Sequence, residues 1–188
     1  MTAWLTPPIG SPALRVAALN ALLPVLETER LILRPCKIED WATLEPIWTT
    51  DRAKYIGGPM NGEDAWLDFN QCVASWLLRG TGPLTITLKD DDTPLGLVLI
   101  APEYRDPSTE LGWLLTEAAE GKGYATEAAR ALRDWGFDEL GSNSFKSFIY
   151  KDNAASLRVA ARLGATRQGD HPELTDCAVF AYTTGATQ

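Results

Sequence analysis

The spacing of apolar residues divides the first half of the chain into one strand and two helices. Apolar and polar positions alternate over residues 30–34, and Pro35 closes this predicted strand. Over residues 38–55 the apolar period becomes helical, and a second helix is predicted from Asn61, a suitable N-cap, to Gly80. The residues expected to face the core are Trp41, Leu44 and Trp48 in the first helix, and Trp66, Phe69, Val73 and Leu77 in the second.

The second half of the chain changes to strands that later alternate with helices. Residues 84–88 and 95–100 form a predicted hairpin, residues 90–92 its solvated aspartate turn, and residues 109–115 a third strand. The later elements are a helix over 124–137, strands over 145–150 and 177–182, a helix over 154–163, and a further strand around Thr166. Hairpins pair antiparallel and β-to-α transitions favour parallel pairing, so we predict an α+β fold with a mixed α/β sheet of about six to seven strands and about four helices.

Residues 1–26 form a predicted N-terminal arm, and residues 27–183 a single domain. The second half of the arm is apolar, but it follows no basic segment and Pro24 interrupts it, which argues against an export signal and a membrane span. A helix packed on the domain is the predicted structure. The alternative is a contact in a homodimer, because such a helix must bury its apolar side chains somewhere.

The balance of charge limits the partners of the protein. The 188 residues include 17 basic and 25 acidic side chains, a net charge of −8, without a run of Lys or Arg. Such a surface is a poor match for nucleic acid or an anionic membrane, and neither is expected as a partner. Cys36, Cys72, Cys177 and the single histidine, His171, lack the spacing of a disulfide framework or a metal site. We therefore expect free thiols, a cytoplasmic location and no metal.

A glycine-rich turn between a strand and a helix is the most informative local feature. The strand over 109–115 leads to Gly121-Lys122-Gly123, and the next helix begins at Tyr124. Glycines let the backbone approach a ligand and a helix N-terminus directs free N–H groups toward it, an arrangement that binds phosphate. On these residues alone, a turn without a ligand is an equal alternative. Tyr124 breaks the P-loop pattern and Thr126 breaks the dinucleotide-binding pattern G-x-G-x-x-G.

Residues 121–128, GKGYATEA, resemble the acyl-CoA pyrophosphate loop of the GNAT superfamily of N-acetyltransferases, in the branch that includes the ribosomal-protein N-terminal acetyltransferases. Three further segments resemble the same branch in the same order. Residues 27–35 resemble its first strand, residues 110–114 its fourth strand, and residues 153–164 its second CoA-contacting helix. The resemblance implies a splayed mixed sheet that admits the pantetheine arm between its fourth and fifth strands.

The resemblance also implies acetyl-CoA as co-substrate and names residues that would hold it. Backbone donors for the pyrophosphate would come from Gly121, Lys122, Gly123, Tyr124, Ala125 and Thr126, whose hydroxyl would add a bond. Leu114 and Leu115 would pair their backbone with the pantetheine arm, Asn153 would hydrogen-bond it, and Arg158 would face the nucleotide end. On the residues alone, Asn153 is also a helix N-cap and Arg158 an exposed helix residue.

Acetyl transfer to an amine needs a base, a donor to the thioester carbonyl and a proton for the departing sulfur. Glu110 is the candidate base, acting through a water, and the backbone N–H of Leu115 is the candidate carbonyl donor. Ser156 is the candidate donor to the sulfur. A salt bridge for Glu110 and a bond to the helix backbone for Ser156 are the alternatives, and His171 is expected at the surface.

We therefore predict an acetyl-CoA-dependent N-acetyltransferase acting on a protein N-terminus or a small primary amine. The alternative is a catalytically weak CoA-binding regulatory or interaction module. Two departures from the family pattern favour that alternative. Ala118 stands where the family often has Gln or Arg, and Ala160 stands where it often has a tyrosine that serves as acid to the leaving thiolate. Glu63, Asp64 and Asp68 lead to the further hypothesis of a cationic acceptor.

Overall fold

The computed structural model describes residues 3–102 and 108–184, and within them the chain forms one sheet. The strands are β1 (Leu26–Glu27), β2 (Leu31–Pro35), β3 (Pro83–Leu88), β4 (Gly96–Ala101), β5 (Glu110–Leu115), β6 (Ser144–Tyr150), β7 (Thr166–Asp170) and β8 (Cys177–Thr183). Their spatial order is β1-β2-β3-β4-β5-β6-β8-β7, and β5 and β6 pair in parallel while the other neighbours pair antiparallel. The predicted mixed sheet is confirmed. The eighth strand is β1, whose two residues pair with β2.

The helices differ from the prediction mainly before residue 56. In the described residues they are α1 (Ser11–Asn20), α2 (Trp41–Leu44), α3 (Pro46–Thr49), α4 (Gly62–Arg79), α5 (Tyr124–Glu139) and α6 (Ala154–Arg162). The single helix predicted over 38–55 is wrong. Pro46 has no N–H to donate, so it ends α2 and starts α3, and 3₁₀ turns at Ile38–Asp40 and Asp51–Tyr55 complete the segment.

Two apolar clusters cover the two faces of the sheet. Along β4, successive side chains point to opposite faces. Val98 and Ile100 join α5 in the larger cluster, whereas Leu97 joins α2, α3 and α4 in a cluster rich in tryptophan. The second cluster contains Trp41, Leu44, Ile47, Trp48, Ala65, Phe69 and Leu97.

The long helix α4 begins and ends where the sequence indicates, and Trp66, Phe69 and Val73 of its predicted core face pack in the tryptophan-rich cluster. Asn61 caps it by accepting a hydrogen bond from the Asp64 N–H at 3.0 Å. Gly80 ends it in the left-handed conformation, with φ of 71°. Leu77, predicted to face the core, is 71% exposed, while its neighbour Trp76 is buried and donates from Nε1 to the Pro83 carbonyl.

The N-terminal arm is helical, but its helix is not packed as predicted. No residue of α1 is buried, and Leu14 is 73% exposed. The arm contacts the domain elsewhere: the Trp4 ring lies edge-on to the Trp66 ring at 4.8 Å. The homodimer contact stays a prediction. Among the described residues no helix combines the length and apolar character needed to cross a membrane.

Arg34 of β2 forms a buried ion pair with Asp40 and a second ion pair with the hairpin turn between β3 and β4. Arg34 donates to both carboxylate oxygens of Asp40 at 2.8 Å, and Thr85 donates to the same carboxylate. Arg34 and Lys37 also pair with Asp92 of the turn. The turn predicted as merely solvated is therefore held to β2 by one of its three aspartates.

Candidate active site

A cleft opens between β5 and β6 because the two parallel strands pair at one end and then diverge. Among the described residues, Glu110 and Lys146 are their paired position, with the Lys146 N–H donating to the Thr109 carbonyl at 3.1 Å. Beyond it, the Ser147 hydroxyl bonds to the Leu111 carbonyl in place of a backbone N–H. The resulting cleft has a volume of about 1040 Å³.

The backbone of β5 presents polar groups to this cleft at alternate residues. The Thr116 N–H donates to the Leu95 carbonyl of the neighbouring strand at 2.9 Å. In an antiparallel pair the bonded residues alternate, so Leu114 directs its backbone to Leu97 of β4, and Trp113 and Leu115 direct theirs to the cleft. The backbone of Leu114, expected to pair with a pantetheine arm, is therefore engaged with β4, and the neighbouring backbone groups that face the cleft are those of Trp113 and Leu115.

Close approach of β4 to this segment depends on Gly96. Its φ is 155°, and an added Cβ would lie 2.1 Å from the Leu114 carbonyl oxygen and 2.8 Å from the Leu115 Cα. Any side chain at this position would push β5 toward the cleft. Gly96 thus fixes the wall that carries the exposed backbone groups.

The glycine turn closes one end of the cleft. Gly121 and Gly123 have φ of 74° and 84°, values that favour glycine, and α5 follows without a side-chain N-cap at Gly123. Thr126, in the first turn of α5, is 9% exposed, and its hydroxyl has no hydrogen-bond partner among the described residues. A buried donor beside uncapped helix N–H groups fits an anionic oxygen such as that of a phosphate.

The helix α6 lines the cleft on the side of β6. Asn153 caps it by accepting from the Ser156 N–H at 3.1 Å, so the N-cap role is observed. Asn153, Ser156 and Arg158 all line the cleft. Ala160 is fully buried and does not line it, which leaves Ser156 as the hydroxyl on this helix that faces the cleft.

Glu110 lies where the two strands part. Its Oε1 accepts from the Phe148 N–H of β6 at 3.5 Å, and the residue lines the cleft. Burial raises the pKa of Tyr182 to about 12, and the charge of Glu110 acts in the same direction. This raised pKa keeps the Tyr182 hydroxyl neutral at pH 7, and the hydroxyl bonds at 3.0 Å to Ser147, which lines the cleft.

Residues 30–166 match the family model of the acetyltransferase (GNAT) domain. The chain belongs to the GNAT acetyltransferase family. The uncharacterized N-acetyltransferase YnaD of Bacillus subtilis (strain 168) is 28% identical over 146 residues, which are 77% of this chain and 84% of YnaD. An acetyltransferase structure from Agrobacterium tumefaciens str. C58 is 37% identical with a TM-score of 0.80, covering 85% of this chain and 94% of that one.

The family expected from residues 27–182 is thus confirmed. RimL, a ribosomal L7/L12 alpha-N-protein acetyltransferase solved in complex with coenzyme A, is 19% identical with a TM-score of 0.71, over 87% of this chain and all of that one. At this identity the likeness shows a shared fold. Most residues expected to bind acetyl-CoA meet at the cleft of this acetyltransferase. They are Leu114, Leu115, Gly121, Gly123, Ala125, Thr126, Asn153, Ser156 and Arg158.

Two of the expected cofactor residues, Lys122 and Tyr124, do not line the cleft of the acetyltransferase. The Lys122 carbonyl accepts from Arg30 Nη1 at 3.0 Å, and the Tyr124 ring lies under the Arg30 guanidinium at 4.8 Å. Both residues therefore contact the segment before β2.

The 3₁₀ turn Asp51–Tyr55 of the acetyltransferase crosses the cleft and was missed by sequence reasoning. Arg52 donates to the Leu115 carbonyl at 2.7 Å and pairs with Glu120. Lys54 pairs with Asp152, next to α6, at 2.7 Å. The turn is thus tied to both sides of the cleft. Two basic residues in a short polar segment carry no sequence signal for such a role, because their partners lie more than 60 positions away.

The other predicted polar groups separate into those at the cleft and those outside it. Asp68 lines the cleft and accepts from Trp48 Nε1 at 2.7 Å. Glu63 and Asp64 lie in the first turn of α4 and do not line it. His171 does not line it either, and its ring packs edge-on to Phe148 at 4.8 Å. Among the described residues no group of three or more potential ligands could hold a metal ion.

Proposed function

We propose that this acetyltransferase moves an acetyl group from acetyl-CoA to a primary amine by direct attack. The observation that carries the proposal is the cleft itself, where unpaired backbone groups of β5 lead to an uncapped glycine turn and a buried unpartnered hydroxyl, Thr126. Acetyl-CoA supplies a thioester on an extended amide arm with a diphosphate. RimL, which shares the fold, was solved with coenzyme A, and that supports this choice.

Each part of the cleft suits one part of the co-substrate. The N–H and carbonyl groups of Trp113 and the N–H of Leu115 would pair with the arm in the manner of an added strand. The N-terminus of α5 and the Thr126 hydroxyl would hold the diphosphate. Asn153, which lines the cleft, would lie beside the arm, and Arg158, an exposed residue of α6, would face the nucleotide end.

The spacing along β5 decides which N–H polarises the thioester carbonyl. Glu110 and Leu115 are five residues apart, which is about 16 Å at ~3.3 Å per residue. A base and a carbonyl donor for one thioester must lie closer than that, even with an intervening water. We therefore assign the carbonyl donor to the Trp113 N–H, and Leu115 becomes a contact of the arm. Ser156 remains the group that would protonate the departing sulfur.

A base of ordinary strength suffices if the acceptor is an α-amine. Deprotonating an α-amino group with a pKa of about 7.7–8.0 costs about 1 kcal/mol at pH 7, whereas a lysine amine near 10.4 costs about 4–5 kcal/mol. Glu110, acting through a water at the end of the cleft where β5 and β6 pair, therefore suits an α-amine better than a lysine amine. The acceptor is therefore an α-amine of a protein N-terminus or a small amine of similar basicity.

Charge on the acceptor side favours a cationic or neutral acceptor over an anionic one. Four carboxylates line the cleft, those of Asp51, Asp68, Glu110 and Glu120. The two basic residues of the turn that crosses it are already engaged, since Arg52 pairs with Glu120 and Lys54 pairs with Asp152. An ammonium group would thus be attracted before it loses its proton.

The three cysteines are free thiols, which supports a cytoplasmic location.

The test is thiol release from acetyl-CoA with a panel of N-terminal peptides, monoamines and polyamines. We expect release with at least one amine, accompanied by acetylation of that amine, and a loss of about 10²–10⁴-fold in kcat for Glu110→Gln at unchanged acetyl-CoA affinity. His171→Gln is the control variant and should keep full activity. Binding of acetyl-CoA without release for any amine would favour the CoA-binding module, and absence of binding would reject the proposal.

A further inference from the structure

Glu127, in the first turn of α5, is held by the segment that precedes β2. Its Oε1 accepts from the Thr28 hydroxyl at 2.5 Å and from the Arg30 backbone N–H at 2.9 Å. Its Oε2 accepts from Arg30 Nε at 2.8 Å and lies 2.6 Å from Arg30 Nη2. The carboxylate is thus fully engaged although its partners lie almost 100 positions earlier in the chain.

Arg30 also contacts the glycine turn directly. Its Nη1 donates to the Lys122 carbonyl, between the two glycines, and its guanidinium covers the Tyr124 ring. Glycines at positive φ have many accessible conformations, so Gly121 and Gly123 alone do not fix the turn. The planar fork of one arginine holds the middle of the turn, the first residue of α5 and Glu127 at the same time.

The charge of Glu127 makes this contact relevant to an anionic ligand. Burial acts to raise the pKa of the Glu127 carboxyl, but bonds from Thr28 and Arg30 outweigh it and hold the pKa below its ordinary value. Glu127 is therefore ionised at neutral pH. A carboxylate in the first turn of α5 opposes binding of a second anion there unless a cation neutralises it.

A second groove, of about 530 Å³, shows the same balance of acidic and basic side chains. It shares Gly123, Thr126 and Arg162 with the main cleft and is also lined by Arg30, Glu127 and Arg130. Its other acidic lining residues are Glu29 and Asp134, and Asp134 pairs with Arg133 at 2.6 Å. The groove is thus lined by three arginines and three carboxylates, so its charge is balanced only while Arg30 offsets Glu127.

We propose that Arg30 is a positioning residue for the phosphate end of the co-substrate, because it fixes the glycine turn and neutralises Glu127. The inference rests on the proposed function, since it needs a ligand with a diphosphate. It concerns the diphosphate alone and leaves the pantetheine arm unaffected.

The test compares the affinities of CoA and of pantetheine, which lacks the phosphates, by calorimetry on Arg30→Gln and the wild type. We expect the Kd for CoA to rise about tenfold in Arg30→Gln, because Glu127 is then no longer neutralised at the partly sheltered N-terminus of α5. The Kd for pantetheine should stay constant. The matched control is Arg167→Gln, which removes an exposed arginine from its pair with Asp170 and should leave both Kd values unchanged. The double variant Arg30→Gln/Glu127→Gln should recover part of the CoA affinity.

Equal weakening of CoA and pantetheine, or no change for Arg30→Gln, would overturn the inference while the proposed function stands. Failure of the wild type to bind CoA would instead reject the proposed function. If Arg30→Gln does not fold, Arg30→Lys replaces it, because lysine keeps the charge but cannot reach Glu127 and the Lys122 carbonyl together. The Kd for CoA divided by the Kd for pantetheine should then be about threefold higher in Arg30→Lys than in the wild type, and an unchanged ratio contradicts the inference.

Discussion

Thr126→Val should stabilise the ligand-free protein and weaken its binding of CoA. Thr126 is 9% exposed and its hydroxyl has no partner among the described residues. An unsatisfied buried hydroxyl costs about 1–3 kcal/mol, and valine keeps the shape of threonine without it. We expect a gain of about 1 kcal/mol in the free energy of unfolding, which raises the Tm by about 2–4 °C at this chain length.

The same substitution should cost affinity if the hydroxyl serves the diphosphate. A hydrogen bond to a charged group contributes about 1.5–3 kcal/mol, so the Kd for CoA should rise about 10- to 100-fold. Thermal unfolding without ligand and calorimetry with CoA measure the two effects, and Thr126→Ser should retain wild-type affinity.

Thr85→Val provides a control of opposite sign. The Thr85 hydroxyl is fully buried and donates to Asp40 at 2.7 Å, so its loss should destabilise the protein by about 1 kcal/mol and leave CoA affinity unchanged. If Thr126→Val destabilises the protein in the same way, or leaves the Kd for CoA unchanged, Thr126 is an ordinary core residue and the reasoning fails.

Three further predictions concern the wall of the cleft, the buried ion pair and acid stability. Gly96→Ala places a Cβ 2.1 Å from the Leu114 carbonyl, so we expect a loss of about 1–3 kcal/mol in unfolding experiments and weaker CoA binding; wild-type affinity would contradict this. Asp40→Ala leaves Arg34 buried without its main partner and should cost about 3–5 kcal/mol by urea unfolding, and a loss below 1 kcal/mol would refute it. The pKa of Glu127 lies below its ordinary 4.5, so stability from its ionised form should be lost as pH falls below about 4.5, and less so in Glu127→Gln.

The sequence predicted the turn and the helix cap that border the cleft better than it predicted the contacts that bring them together. The turn at Gly121 and Gly123 and the N-cap at Asn153 depend on neighbours in sequence, and the structure places them as expected. The break at Pro46 was visible in the sequence but was outweighed by the apolar period on both sides of it.

Contacts between distant residues could not be predicted from spacing. The segment before β2 resembles the family, but the bond from Arg30 to Glu127 joins residues 97 positions apart and requires the fold. The same holds for Arg52 and the Leu115 carbonyl, which are 63 positions apart. The proposed backbone contact lies at Trp113 and not at Leu114, because the direction of a strand's N–H groups depends on its register with β4.

Residue-resolved amide hydrogen exchange with and without CoA tests the central claim most directly. The account predicts new protection at Trp113 and Leu115 and at the first N–H groups of α5 that line the cleft, those of Ala125 and Thr126. The amides of Gly112 and Leu114 already pair with β4 and should not change. Bound CoA that protects none of the cleft-facing amides, or that protects Gly112 and Leu114 as much as Trp113 and Leu115, would contradict it.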